Sequence, residues 1–512
     1  MPTSRGRSAS SSAARSTSPA MSSACRKASS LRPIRAARLR RQDSTLSATC
    51  NAGNSPRCRS ASIWAAEFAT SRNMSAHFED ARALPDLRRA LARPNHEIER
   101  DPSDSDAYVE RGAVYESAGD WGRALLDYAR AIEVDPANVE ARFSRGYARL
   151  MLSDWEAAAA DFTTVSVDEP ERHHAIYLRA HCYDSWAKPD LAIADFTKVL
   201  QMVPEHVHAL LGRASVYESL GRTDDAFADY DAALAIDVGL AAAYCGRGRL
   251  WRERGDLDRS IEEHTLALRI DPKTINALNG RAIANDLKGN FHLSFPDYER
   301  ALAIDPDSAF TYNNRGYAFQ LMGDDDRALA DYSRAIDIEP VSPISYLNRA
   351  GVHYRRDDYA RATEDFTKAT ELPLIEAKLG NAFGGRANCW LMLSEWDKAL
   401  ADYTRAIELN PDYVDNYRYR SQLYEHKDDS TAAIADLDRA IAIAGGDADL
   451  FKRRAYIYNS LGDRRRALSD IDTAIGMDPK DAELFIGRGI INLCLMRLRS
   501  AVADLWCAWK LL

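Results

Sequence analysis

The sequence predicts an all-α fold: an α-solenoid of about twelve helix-turn-helix repeats of 34 residues. The first observation is an arginine that recurs at one constant spacing through eight repeats and, after one slightly longer step, through four more. The second is a small residue directly after each arginine, and the third is an aromatic residue that follows at a fixed later position in most repeats. The arginines are Arg111, Arg145, Arg179, Arg213, Arg247, Arg281, Arg315, Arg349, Arg386, Arg420, Arg454 and Arg488.

The stretch from Tyr312 to Pro340 shows why each repeat is predicted to be a pair of helices. Gly316, Ala328 and Ala335 lie at helical spacings, and small residues at such positions let two helices approach closely. Tyr332 then fills the space that remains between the helices. A Gly-Asp pair at 323–324 ends the first helix and begins the second, and the proline after the second helix cannot continue it.

This pattern of aromatic, small, aromatic, Ala and Pro positions resembles the tetratricopeptide repeat family, in the form of a bacterial multi-repeat protein. The resemblance covers residues 105–512, and arginine replaces the leucine that is usual before the small residue. It implies a right-handed superhelix of helix pairs. In that family the first helices line a concave groove, which binds a protein or a peptide.

Residues 1–75 are predicted to be a disordered, basic segment rich in Ser, Ala and Arg. They carry 13 Lys and Arg against two acids, a net charge of about +11, and leave about −20 for the rest of a chain whose total is −9. Three interpretations stay open: a targeting segment, another basic disordered arm, or sequence upstream of a translation start near Met74.

The rest of the chain divides into a degenerate half-repeat or cap over 76–104, repeats one to eight over 105–379, and repeats nine to twelve over 380–512. A cap is expected because the first repeat of a solenoid otherwise exposes its stacking side to water. Two departures predict hinges in the array. Pro296 falls inside a second helix, and three extra residues lie around 373–379.

Every repeated arginine has an acid at one fixed position in the second helix of its repeat, which predicts a ladder of ion pairs between the two helices. An anion-binding stripe is the alternative. We interpret the ladder as structural, because each arginine adjoins the closely packed small residue and always has an acid available. The central pairs are Arg281 with Asp297, Arg315 with Asp331, and Arg349 with Asp365.

If the resemblance extends to binding, a partner contacts first-helix positions three or four residues apart that face the groove. Asn side chains carry both a donor and an acceptor, so a row of them can hold an extended peptide by its backbone, and aromatic side chains add apolar anchors. The alternative is a solvated helix surface. The candidate groove residues are Asn279, Phe310, Asn313, Asn314, Tyr317, Asn348, Tyr354 and Asn388.

The sequence contains no recognisable catalytic motif: no GxGxxG, phosphate loop, GxSxG or HExxH. We therefore expect no enzymatic activity and no cofactor. His174 and His181 fall on the groove side but are roughly 10 Å apart along a helix, too far to share one metal ion directly, so we expect no metal site. The cysteines form no close CxxC pair, which suits a reducing compartment such as the cytoplasm.

The sequence ends in ADLWCAWKLL, which predicts an apolar surface at Trp506 and Trp509. Repeat arrays usually carry a polar cap, so we expect self-association or partner docking through these tryptophans. The alternatives are that the tryptophans fold back on the last helix pair, or that the array is truncated.

These observations predict a cytoplasmic, non-enzymatic scaffold that binds a protein or peptide segment in its groove. Two alternatives stay open: an exported assembly factor of the cell envelope, and a regulatory or targeting subunit of a separate enzyme. Nucleic acid is not expected as a partner, because a body with a charge of about −20 repels phosphate. No apolar run reaches the length of a membrane span.

Overall fold

The structure, a computed structural model, describes residues 83–511, and all regular secondary structure within them is helical. The basic segment 1–75 lies outside the described residues. The 25 helices are α1 (Ala83–Arg100), α2 (Ser105–Ser117), α3 (Trp121–Val134), α4 (Val139–Met151), α5 (Trp155–Asp168), α6 (His173–Ser185), α7 (Pro189–Met202), α8 (Val207–Ser219), α9 (Thr223–Ile236), α10 (Ala241–Glu253), α11 (Leu257–Ile270), α12 (Ile275–Leu287), α13 (Phe291–Ile304), α14 (Ala309–Leu321), α15 (Asp325–Ile338), α16 (Pro343–Arg355), α17 (Tyr359–Glu371), α18 (Glu376–Met392), α19 (Trp396–Leu409), α20 (Val414–His426), α21 (Ser430–Ala444), α22 (Ala448–Ser460), α23 (Arg464–Met477), α24 (Ala482–Cys494) and α25 (Leu498–Leu511).

The described residues fall into two compact units, 83–338 with helices α1–α15 and 339–511 with helices α16–α25. In each unit the chain forms successive antiparallel pairs, in which an even-numbered first helix packs against the odd-numbered second helix that follows it. Each second helix also packs against the next first helix within its unit. This arrangement confirms the all-α fold of helix-turn-helix repeats that the sequence predicts.

The first helices form the more closely packed side of each stack. In the first unit every first helix contacts the first helix of the next repeat, from α2 with α4 to α12 with α14. Within residues 83–338, second helices make no comparable contact with one another. In the second unit, α16 contacts α18 and α22 contacts α24 in the same way. The first helices therefore lie on the inner side of the curvature within each unit.

The predicted small and aromatic positions form the interior of each repeat. Ala328, Tyr332 and Ala335 are all fully buried. In the fourth repeat the ring of Tyr230 also packs against the next first helix, where a Cβ added to Gly246 would lie 2.3 Å from Tyr230 Cζ. Only glycine fits at position 246, so the Tyr230 ring fixes the distance between the fourth and fifth repeats as well as between its own paired helices.

The turn between the two helices of a repeat always contains one residue in the left-handed conformation. Glycine supplies it in six repeats, as at Gly119, where φ is 73°, and other residues supply it in the remaining six, as at Ala187, where φ is 56°. An aspartate often caps the second helix that follows: Asp120 Oδ1 accepts the backbone N–H of Arg123 at 3.0 Å. The turn predicted from Gly-Asp pairs therefore forms even where glycine is absent.

The two predicted departures have different outcomes. Helix α13 runs without interruption from Phe291 to Ile304 through Pro296, so the proline does not break it. The extra residues near 373–379 form a short link over 372–375 and lengthen α18, which begins at Glu376 and has 17 residues. The ninth repeat thus begins four residues before the predicted position 380.

Candidate partner-binding face and arginine ladder

All twelve repeated arginines contact the predicted acid of the second helix, with shortest N–O distances between 2.5 and 2.8 Å. In ten repeats the contact is a two-bond fork. Arg315 Nε donates to Asp331 Oδ2 and Nη2 donates to Oδ1, both at 2.8 Å. Arg281 with Asp297 and Arg349 with Asp365 have the same geometry. The forks join the first and second helix of these ten repeats in one orientation.

In most repeats the same guanidinium also reaches back to the preceding repeat. Arg179 Nη1 donates to Thr163 Oγ1 at 3.2 Å, and Arg488 Nη1 donates to Asp472 Oδ1 at 2.7 Å. Both contacts run from a first helix to the second helix of the repeat before. Sequence reasoning missed this third contact, although the residue at the position of Thr163 and Asp472 is polar in eleven of the twelve cases.

The fifth repeat departs from the fork because it carries glutamate instead of aspartate. Arg247 Nη2 donates to Glu263 Oε1 at 2.5 Å, but Arg247 Nε and Glu263 Oε2 are buried without a hydrogen bond to any described residue. The extra methylene of glutamate moves the second oxygen out of register with the guanidinium. Burial raises the pKa of Glu263, and the charge of Arg247 opposes that rise.

In the first unit, the candidate groove residues divide into buried and accessible ones. Asn279, Asn314 and Tyr317 are buried. Asn279 Nδ2 donates to Thr311 Oγ1 at 2.9 Å and so joins α12 to α14. Phe310, on α14, is 44% exposed, and Asn313 is half-buried.

Asn314 occupies the repeat position of Gly246 and Gly280, and both glycines face an aromatic or imidazole ring of the preceding second helix. Its burial follows from that position, which faces between the helices. The accessible candidates of this unit are therefore Phe310 and Asn313.

In the second unit, Asn348 is buried at the equivalent position of its repeat. Tyr354 is half-buried, and its ring packs edge-on against Tyr359 with the centroids 5.5 Å apart. Asn388 is half-buried, and its Oδ1 accepts a hydrogen bond from the hydroxyl of Tyr403. Tyr354 and Asn388 are therefore the accessible candidates in this unit.

A buried ion pair between first helices was not predicted from the sequence. Arg249 on α10 donates from Nε and Nη2 to the two carboxylate oxygens of Glu218 on α8, at 2.8 and 2.9 Å. Tyr230 Oη donates to the same carboxylate at 3.1 Å. The pair fastens the inner sides of the fourth and fifth repeats to each other. Its signal in the sequence is only one acid and one arginine in successive first helices.

The two C-terminal tryptophans are exposed on α25, Trp506 by 56% and Trp509 by 71%. Lys510 Nζ lies 3.5 Å from the centroid of the Trp506 ring. Leu498 and Val502, on the same helix, are exposed as well. The surface is apolar, and self-association through it stays a prediction.

The described residues contain neither a candidate metal site nor a candidate membrane span. No group of three or more His, Cys, Asp or Glu side chains within 83–511 could hold a metal ion. In the same part of the chain, no helix is long and apolar enough to cross a membrane. Cys182, Cys245 and Cys389 are unpaired and buried, and burial raises the pKa of the Cys245 and Cys389 thiols to about 12.

Family models decide the identity of this helical array. The model described as tetratricopeptide repeat matches residues 109–165 and 187–239, and the model described as ETO1 C-terminal domain matches residues 308–489. The chain is a tetratricopeptide repeat protein. Tetratricopeptide repeat folds are in general non-enzymatic scaffolds for protein–protein interaction. No curated protein matches this tetratricopeptide repeat chain in sequence.

Three solved structures are similar to the tetratricopeptide repeat chain. A tetratricopeptide repeat protein from Parabacteroides merdae is 21% identical, covers 48% of this chain and 96% of its own, and gives a TM-score of 0.43. The APC/C hetero-tetramer Cut9-Hcn1 is 14% identical, with 85% and 92% covered and a TM-score of 0.41. YrrB, described as a TPR protein with an unusual peptide-binding site, is 20% identical, with 38% and 99% covered and a TM-score of 0.33.

Proposed function

We propose that this protein is a non-enzymatic scaffold that binds a segment of a partner protein on its first-helix face. By first-helix face we mean the accessible surface of the even-numbered helices on the inner side of each unit. The observation that carries the proposal is Phe310, a large apolar side chain that is 44% exposed on that face, beside the half-buried Asn313. An apolar anchor next to an amide suits a peptide that buries one side chain and hydrogen-bonds through its backbone.

The first-helix face of the first unit is held in place before any partner arrives. The Asn279–Thr311 hydrogen bond fixes α12 to α14, and the buried Glu218–Arg249 pair fixes α8 to α10. A surface that is already ordered loses little conformational entropy on binding, so more of the contact energy appears as affinity.

The second unit offers a separate pair of contact residues. Tyr354 presents an aromatic ring that Tyr359 supports, and Tyr403 holds the amide of Asn388 in place. We assign these residues the same role as Phe310 and Asn313: an apolar contact and a backbone hydrogen bond.

The test begins with affinity capture by the full chain and identification of the partner. The purified partner is then titrated against the parent chain and against the double variant Phe310→Ala with Asn313→Ala. We expect binding at least about tenfold weaker, because an anchor residue typically contributes about 2 kcal/mol or more. Leu293→Ala is the matched control, since Leu293 is 50% exposed but lies on the second helix α13. Equal affinity for parent and double variant overturns the proposal.

A further inference from the structure

Five histidines come together at the junction of the third and fourth repeats of the first unit. Three of them contact Tyr177, whose ring centroid lies 5.0 Å from that of His206, 4.6 Å from that of His181 and 6.0 Å from that of His174. His173 and His206 join α6 to the start of α8, with centroids 5.8 Å apart. The histidine cluster is His173, His174, His181, His206 and His208.

The histidine cluster is accessible from the first-helix face. His174 and His208 hold the same repeat position on α6 and α8, and both are exposed. That position is the one Phe310 holds on α14. His173 and His206 are half-buried, and His181 is buried beneath them. A partner segment that crosses from α6 to α8 on this face meets His174 and His208 directly.

The charges that act on His174 and His206 are positive. Burial lowers the pKa of His174, and the charges of His173 and Arg172 lower it further. Burial also lowers the pKa of His206, with additional contributions from His208, His173 and His174. Each proton that the cluster takes up therefore makes the next proton less favourable.

Several carboxylates of the neighbouring elements are already engaged elsewhere. Arg172, which precedes α6, binds Glu140 of α4 at 2.9 Å and Glu169 at 3.2 Å. Asp168, at the end of α5, pairs with Arg142, and Asp195 of α7 belongs to the arginine ladder. Glu171 and Glu205 are exposed in the links that precede α6 and α8. Carboxylates supplied from outside the chain can compensate the charge of a protonated cluster.

We propose that the histidine cluster is a pH-dependent binding site for an acidic segment of the partner protein. Its affinity for that segment rises as the pH falls, and the rise lies below pH 6.5, because burial and the neighbouring positive charges make His174 and His206 harder to protonate than an ordinary histidine. The inference rests on the proposed function, since it takes the first-helix face to be the binding surface. The inference adds two points to the proposed function. The partner segment contains a run of Asp or Glu, and it binds more tightly at low pH.

The direction of the pH dependence follows from linkage. A carboxylate placed beside an imidazole favours the charged form and raises its pKa, so the complex binds more protons than the free protein. Binding that takes up protons becomes stronger as pH falls. If binding raises the pKa of one histidine by one unit, the affinity for the acidic segment increases up to about tenfold between high and low pH. If binding raises the pKa of both exposed histidines, the increase in affinity is larger.

The test uses a fluorescein-labelled hexaglutamate peptide and fluorescence anisotropy with the full chain, at pH of about 5.5 and about 7.5 and at one low ionic strength. The basic segment 1–75, with a net charge of about +11, attracts this probe at both pH values, so only the part of the binding that changes with pH reports the histidine cluster. We expect affinity at least about tenfold higher at the lower pH, with uptake of protons measured by calorimetry in buffers of different ionisation enthalpy. Binding independent of pH overturns the proposal, and so does binding without proton uptake.

The matched variants remove equal numbers of histidines inside and outside the cluster. His174→Gln with His208→Gln is expected to lose most of the gain at low pH. His96→Gln with His292→Gln, two exposed histidines elsewhere in the same unit, is expected to keep it. His206 is left unchanged, because its Nδ1 accepts the N–H of Ala209 at 3.1 Å and caps α8. Equal loss in both variants overturns the assignment to the cluster.

The result separates this inference from the proposed function. If hexaglutamate shows no pH-dependent binding while Phe310→Ala with Asn313→Ala still weakens partner binding, only the role of the histidine cluster fails. If that double variant binds its partner as the parent does, the proposed function fails, whatever the peptide shows. Circular dichroism of each variant at both pH values verifies that the helices are intact.

Discussion

Arg213 donates a hydrogen bond from Nη1 to Thr197 Oγ1 of the preceding repeat, with the two atoms 2.8 Å apart. Its Nε and Nη2 atoms bind the two oxygens of Asp229 in its own repeat, at 2.8 and 2.7 Å. One guanidinium therefore joins helices α7, α8 and α9. Because the guanidinium is planar and its donors are fixed, it sets both the pairing within a repeat and the register between repeats.

The first prediction concerns this ladder. Arg213→Met strands the buried carboxylate of Asp229, and we expect a local cost of roughly 3–5 kcal/mol, against about 1 kcal/mol for Thr197→Val. Hydrogen exchange of the amides in α8 and α9 measures the cost, because stability in a repeat array is local. The double variant Arg213→Met with Asp229→Leu is the control and is expected to recover most of the loss. A loss below about 1 kcal/mol in the single variant contradicts the structural role of the ladder.

The second prediction concerns the imperfect fork of the fifth repeat. Glu263→Asp gives this repeat the acid that the other eleven carry. The second oxygen of the shorter carboxylate can then accept a hydrogen bond from Arg247 Nε, which now has no acceptor among the described residues. We expect an increase in the stability of α10 and α11 of about 1 kcal/mol, which urea unfolding and hydrogen exchange both report. The reverse change in the neighbouring repeat, Asp229→Glu, is the control and should be destabilising. If both substitutions change stability in the same direction, the fork does not depend on the length of the acid.

The third prediction concerns His264, which stands where neighbouring repeats have Tyr or Phe. Its imidazole is buried between α10 and α12, where a Cβ on Gly248 or Gly280 would lie 2.8 or 2.3 Å away. Neither ring nitrogen forms a hydrogen bond with a described residue. Burial and the charges of Arg252, Arg249 and Arg281 hold the pKa of His264 well below 6.5.

The sign of the resulting pH dependence follows from that lowered pKa. Below pH 6.5, His264 binds a proton in the unfolded chain but not in the folded chain. The free energy of unfolding therefore falls as the pH falls from 6.5 towards the pKa of His264 in the folded chain. At one unit below 6.5 the loss is about 1.4 kcal/mol. His264→Phe is expected to remove this loss, as measured by exchange of the α11 amides at two pH values. His292→Phe, at an exposed site, is the control. An unchanged pH dependence in His264→Phe contradicts this account.

The fourth prediction concerns the exposed tryptophans of α25. If the surface of Trp506 and Trp509 mediates self-association, light scattering gives a mass above the 57.0 kDa of one chain, and the mass rises with concentration. Trp509→Glu places a charge in that surface and is expected to return the mass to one chain. Leu461→Glu alters an apolar residue that is 57% exposed at a turn elsewhere, and it should have no effect. Identical masses for parent and Trp509→Glu contradict self-association through this surface.

Much of the fold could be predicted because one period determines it. The constant spacing of the repeats placed the small positions, and with them the ion pairs such as Arg315–Asp331, which depend only on geometry within one repeat. The contact of Arg213 with Thr197 depends on the angle between repeats, which the period does not specify. Pro296 was expected to disturb a helix, but α13 keeps its helical course through it.

The candidate binding residues were harder to predict, since neighbouring positions of one helix differ in what they face. Asn313 and Asn314 are adjacent in the sequence, but Asn313 is half-buried and Asn314 is buried towards the preceding repeat. The comparison with Gly246 and Gly280 at the same repeat position was available in the sequence, because glycine there indicates close packing. The contacts among the histidines of the cluster could not be predicted from the sequence, because they join residues of two different repeats.

The central claim is that a partner lies on the first-helix face, and site-specific photo-crosslinking tests it most directly. A photoreactive phenylalanine analogue replaces Phe310 on α14 in one protein and Leu293 on α13 in another, and each is irradiated with the identified partner. We predict crosslinks from position 310 and none from position 293, because only the first helix faces the bound segment. Crosslinks from position 293 with none from position 310 would contradict the claim and place the partner on the second helices.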